Sequence, residues 1–158
     1  MIRLQIGAAP GKLVYDKAAT QRALVQAGKE VAAEATKLVQ NAVGGGRLYR
    51  GPGGSARKYR GGYKAGSYRA SAPGMPPVNV TGTLIGDIKV LPFQSKEGVA
   101  VRDPMFYARF LETGAKGPGK RVLLPRPFLT QALDNRGPAI LVRLEKAIND
   151  GVKFGKAP

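Results

Sequence analysis

The chain has 158 residues, of which 43% are hydrophobic, enough for one domain with one modest core. Lysine and arginine number 26 against 10 acids, and a net charge of +16 points to a polyanionic partner: nucleic acid, an anionic membrane or an acidic protein surface. Cysteine and histidine are absent and the acids are scattered, which excludes disulfides, thiolate and imidazole metal sites and histidine acid–base pairs, so neither cofactor nor metal is expected.

Ile2, Leu4 and Ile6 alternate with polar residues and predict a short strand. The pattern turns helical from Asp16 to Val43, where Leu24, Ala27, Val31, Ala35, Leu38 and Ala42 share one face. Gly28 inside this helix costs about 1 kcal/mol relative to alanine, and a close helix contact would explain it. Gly44-Gly45-Gly46 predicts the helix end.

Residues 44–80 differ in character: ten glycines, seven lysines or arginines, four tyrosines and no acid. Arg47, Tyr49, Arg50, Arg57, Lys58, Tyr59, Arg60, Tyr63, Lys64, Tyr68 and Arg69 mix cations with aromatics and show no apolar period. Such a segment cannot bury a core and reads as an extended basic arm within a single domain spanning 1–158. Arginine beside tyrosine suits docking on an acidic protein surface, phosphate contact with base stacking, or a solvated loop.

Thr81-Gly82-Thr83-Leu84 begins a new unit. Ile85–Phe93 and Val99–Val101 predict a hairpin, with Pro92 at an edge or bulge. Met105–Thr113 is a short amphipathic segment in which Phe106, Tyr107, Phe110 and Leu111 pack and Gly114 stops the chain. A second basic, glycine-rich loop covers 115–121, and Leu123-Leu124 predicts a last strand. Pro127 suits a first helical position, and the apolar face from Phe128 to Ile148 is expected to kink or split at Gly137-Pro138. The order predicts an α+β fold, a small antiparallel sheet packed against a long N-terminal helix and C-terminal helices.

The glycine-rich stretches 61–64 and 114–120 lack the spacing and the strand–loop–helix context of a nucleotide-binding phosphate loop. No nucleophile stands beside a base, so an enzyme is not expected. No run approaches the roughly 18 apolar residues of a membrane span, and the N-terminus reads as too short and polar for a signal sequence.

Three segments, in order, carry a resemblance: 70–84 (SAPGMPPVNVTGTL after Ala70), 107–114 (YARFLETG) and 125–133 (PRPFLTQAL). Together they resemble the head–tail joining or tail-completion proteins of long-tailed bacteriophages, with Thr81, Gly82, Leu84, Tyr107, Ala108, Glu112, Thr113, Gly114, Arg126, Pro127, Phe128 and Leu129 at the matching positions. The resemblance covers most of the chain, because a strand and long helix precede these motifs in the family. It departs at Ile85-Gly86-Asp87, where the family usually carries a cation, and at Gly137-Pro138, where the family helix is unbroken. It implies a structural virion protein of the phage neck and tail, made in the host cytoplasm. That protein would form a homo-oligomeric ring, a hexamer to match tail symmetry, between the connector or stopper ring and the tail terminator or tail tube. Transient contact with DNA in the channel is compatible with that place. Glu112, an acid near Arg109, Lys116 and Arg121, is then a candidate for pairing across subunits. The alternative reading is a small basic nucleic-acid-binding protein.

Overall fold

The computed structural model describes residues 13–14, 16–49, 68–94, 98–119 and 122–154. The strand expected at 2–6 and the arm residues Arg50, Arg57, Lys58, Tyr59, Arg60, Tyr63 and Lys64 lie outside them.

The fold is α+β. A long helix α1 (Lys17–Gln40) is followed by α2 (Thr83–Gly86), the antiparallel hairpin β4 (Lys89–Pro92) and β5 (Val99–Arg102), α3 (Ala108–Thr113) and a second long helix α4 (Leu129–Gly151). Three further antiparallel pairs have two residues per strand: β1 (Leu13–Val14) with β8 (Lys153–Phe154), β2 (Leu48–Tyr49) with β3 (Tyr68–Arg69), and β6 (Ala115–Lys116) with β7 (Val122–Leu123). The expected antiparallel pairing is thus present, divided among four separate ladders.

Asp16 starts α1 by accepting a hydrogen bond from the Ala19 amide at 2.9 Å, which satisfies one of the amides a helix N-terminus leaves open. The helix stops at Gln40, three residues short of the expected end. The backbone of 69–71 runs against 44–46 there: Gly46 N donates to Ala70 O at 2.7 Å, and Ala70 N donates to Arg47 O at 3.0 Å. A Cβ on Gly46 would lie 2.5 Å from Ser71 O, so the glycines serve this close approach as well as the stop.

Helix α4 runs antiparallel to α1. Glu34 accepts from Arg136 at 2.7 Å and Glu30 pairs with Arg143, so partners descend along α4 as they ascend along α1. The arginines of these pairs are exposed and the glutamates half-buried at the rim, and the pairs fix register more than they add stability. Between them Val31, Ala35 and Val39 of α1 meet Ala132 and Ile140 of α4, with Leu84, Ala108 and Phe128 closing the core. Phe128 is fully buried.

Four expectations are corrected. Helix α4 runs as one element through Gly137-Pro138, so of the expected kink or split the split does not occur: Pro138 removes its own amide hydrogen bond, while Ala132 before it and Ile140 after it are both buried in the core. Pro127 precedes the helix, whose N-cap is Phe128. The first hairpin strand starts at Lys89, because the chain after Gly82 (φ +78°) first makes the single turn of α2. The basic loop after Gly114 opens with β6, paired across to β7.

Gly28 packs against the hairpin, not against a helix. A Cβ there would lie 2.8 Å from Val90 Cγ1 and 3.1 Å from Val99 Cγ2, and valine methyls on a fixed strand have little room to yield. Seven residues earlier, the Gln21 amide side chain fastens the hairpin by donating to Gly98 O at 3.1 Å and accepting from Gly98 N at 3.2 Å. Helix α1 thus packs against both the hairpin and α4, and the three border one groove. Replacing Gly28 with leucine is expected to destabilise the subunit by about 1–3 kcal/mol despite leucine's better helix propensity. Urea denaturation with an unchanged m-value checks it, and a stabilised variant would refute the close approach.

A candidate partner-binding groove

The three segments that carried the sequence resemblance meet in space. The stretch after β3 enters the body, with Ser71, Pro76 and Pro77 buried and a turn at Gly74 (φ +81°) closed by Met75 N donating to Ala72 O at 3.2 Å. Gly74 N donates to Pro125 O at 2.8 Å, and Arg126 Nε donates to Ser71 O at 3.1 Å. These bonds stitch the first segment to the third. The third joins the second through Arg126 N, which donates to Leu111 O at 2.6 Å.

Glu112 completes the junction. Helix α4 has no side-chain cap of its own at Phe128, and Glu112, sixteen residues upstream, supplies one. One carboxylate oxygen accepts from Phe128 N at 2.9 Å and from Leu129 N, and the other accepts from Thr130 Oγ1 at 3.1 Å. An anion at a helix N-terminus satisfies open amides and is favoured by the helix dipole. Both Glu112 oxygens are engaged within the subunit. Thr113 and Gly114 end α3: Thr113 Oγ1 donates to Arg109 O at 3.0 Å, and Gly114 at φ +74° turns the chain beside Leu123 O, where a Cβ would stand 2.7 Å away.

At the first segment's far end Asn79 Oδ1 accepts from Gly82 N at 2.8 Å, and the Thr81 and Thr83 hydroxyls are 2.9 Å apart. This local network sets α2, whose Leu84 is buried.

Between these elements lies an open groove of about 450 Å³, lined among others by Tyr68, Pro77, Val80, Leu84, Tyr107 and Arg126. All three segments contribute, and among the described residues no carboxylate is in the lining. Arg126 is only 9% exposed, its guanidinium held by the carbonyls of Ser71 and, more loosely, Leu124 at 3.5 Å. Burial, then the charges of Asp103 and Asp87, hold the Tyr107 phenol above its ordinary range, so it stays protonated at neutral pH. Ala108 is buried beneath it, and Pro127 and Leu129 are half-buried. Phe106, expected to pack, is instead 79% exposed and touches the Tyr107 ring edge-on with centroids 5.4 Å apart.

The span expected to form the arm is anchored at both ends. Leu48 pairs with Arg69 and Tyr49 with Tyr68, and Arg69 also reaches Gly46 O at 3.5 Å. Arg47 is exposed, while Tyr68 belongs to the groove wall. Sequence reasoning missed Ser71 and Arg126 as a buried pair, and the Gln21–Gly98 clasp. In each case the partner is more than fifty residues away and no local pattern announces it.

Among the described residues no group of three or more histidines, cysteines or acids comes together, and no helix is long and apolar enough to cross a membrane. No protein-family model, curated protein or solved structure matches the chain.

Two outcomes test this geometry. Glu112→Ala is expected to destabilise the isolated subunit by about 1–3 kcal/mol, with Glu112→Gln losing less because one oxygen still accepts. Equal stability of E112A and wild type in denaturant would remove the capping role. The second concerns Asp103, whose Oδ1 accepts from Met105 N at 2.8 Å while its buried Oδ2 has no partner. Burial raises its pKa, with Asp87 adding to the effect, so the protonated acid is the form the fold prefers. Its stabilising contribution is full below the unfolded-state value and is lost as pH rises through the raised one. Asp103→Asn should therefore gain stability relative to wild type as pH rises from about 3 to about 7. A difference constant across that range in pH-dependent denaturation would contradict it.

Proposed function

We propose that this chain is a structural subunit of a tailed-phage neck. It assembles with copies of itself into a ring, a hexamer by analogy with tail symmetry, and joins or completes the tail at the head–tail interface. The order of the three segments supports this reading, and so does their convergence into one junction that builds a surface without assembling catalytic groups. In this reading its neighbours are the connector or stopper ring and the tail terminator or tail tube, DNA passes through the channel in transient contact, and the protein resides in the virion after assembly in the host cytoplasm.

The observation that carries the assembly reading is the balance of apolar surface. Among the described residues thirteen large hydrophobic side chains are exposed, against eight hydrophobic residues buried in the core. Scattered exposed hydrophobics are ordinary, but a continuous stripe is not. Leu133, Leu141 and Ile148 recur at eight- and seven-residue steps and so share one face of α4, with half-buried Leu144 between them. Leu133 and Leu144 also line an open apolar groove of about 360 Å³ that α4 forms with α1 and β5. A neighbouring copy that buries this face against a different patch of its own builds a closed ring.

Charge separates this reading from a small nucleic-acid-binding protein, which the net charge of +16 also favours. Copies of so basic a chain repel each other, and salt screens that repulsion over about 8–10 Å, so self-assembly should strengthen as salt rises. Binding to DNA should weaken steeply over the same range through counterion release. Sedimentation of the purified chain is expected to show a ring-sized species that grows with salt and disappears in Leu141→Glu. A monomer at every salt concentration, together with tight salt-sensitive DNA binding, would reverse the choice.

A further inference from the structure

A second surface carries an assignment of its own, independent of ring formation. We infer that the groove formed by the three segments seats an apolar segment of a partner protein that carries one carboxylate, and that the carboxylate pairs with Arg126.

Burying a cation is costly. A guanidinium taken out of water is normally paired with a carboxylate or fully hydrogen-bonded. Arg126 is 9% exposed, yet among the described residues it has no acidic partner. Of the five N–H groups that arginine carries, one bond goes from Nε to Ser71 O at 3.1 Å and one long bond goes from Nη1 to Leu124 O at 3.5 Å. Nη2 donates to no described residue, and Arg126 is part of the groove lining. The arginine is held in place by backbone carbonyls, and among the described residues its remaining donors have no acceptor, an arrangement suited to receiving an anion.

The walls decide which anion. The side chains of Pro77, Val80, Leu84, Leu111 and Leu123 are apolar, and among the described residues Arg126 is the one cation in the lining. Phosphate groups of nucleic acids are typically held by several cations or by clustered backbone amides, and the rest of such an interface is polar. A lone guanidinium beside an aliphatic floor instead fits an aspartate or glutamate flanked by apolar residues, with the planar fork engaging both carboxylate oxygens. The volume of about 450 Å³ accepts a few side chains. A second copy of this chain suits the groove less well, given its net charge of +16.

The test uses the full chain as bait for a displayed random-heptapeptide library, with counter-selection against Val80→Glu. Val80 lines the groove and is 42% exposed, so a carboxylate there opposes an acidic guest while leaving the core untouched. General attraction of acidic peptides to a basic protein is nearly equal in the two baits and cancels. The expected result is a consensus of one Asp or Glu between apolar residues, enriched on wild type and lost on V80E. Replacing that acid with its amide should weaken binding to wild type about tenfold. Arg126→Gln should do the same where circular dichroism shows it folded, and V80E carries the test where it is not. A consensus without an acid, no V80E-sensitive consensus, or displacement of the peptide by inorganic phosphate and by a DNA oligonucleotide alike would overturn the assignment.

Discussion

Glu112 holds the second half of the molecule together. Helix α4 begins at Leu129 after a fully buried phenylalanine, and its first amides need acceptors that the residues before it do not provide. A carboxylate from α3 fills that need, and in doing so it fixes where α3 stands relative to α4. Position of α3 sets Tyr107 and Leu111, and the backbone of Leu111 in turn holds Arg126. The groove wall, the buried arginine and the direction of the longest C-terminal element are consequences of one acid–amide contact. A glutamine could make part of it; a hydrophobic residue could make none.

The two long helices provide the body on which this junction rests. Their shared core is built from small and medium side chains, Val31, Ala35, Val39, Ala132 and Ile140, which lets α1 and α4 approach closely but buries modest area per residue. A subunit of this kind has limited reserve of its own, and covering the α4 stripe would add to it. The stripe on α4 and the groove around Arg126 involve different residues, so self-association and capture of a partner segment could proceed without competing for the same side chains.

What the sequence revealed follows from the range of each signal. The face of α1 was legible because Val31, Ala35 and neighbouring residues repeat every three or four positions, whereas the approach of 69–71 to Gly44 and Gly46, just past its end, has no local signal. The hairpin was legible from its alternation, and Gly98 marked its turn side. Two-residue strands carry too few positions to show a period, so β6 was taken for loop. At Pro138 local propensity allows a kink or a split, and packing on both sides of it keeps α4 one element. Glu112 is not legible as a cap, since a cap normally lies within three residues of the helix it starts, and this one arrives from another helix. Motif order put Tyr107, Glu112 and Arg126 on the same page; only three-dimensional contact shows that they share a junction.

The ladder between β1 and β8 has a mechanical meaning. Leu13 faces Phe154 and Val14 faces Lys153, and Asp16 N donates to Gly151 O at 3.2 Å just inside them. Because the pair is antiparallel, the chain before Leu13 and the chain after Phe154 leave from the same end. Tension drawn between those two strands would open the bonds one after another, as a zipper, instead of shearing them all at once. The load would reach the α1–α4 core only after this clasp had parted, so the clasp acts as a fuse that yields before the body of the subunit does.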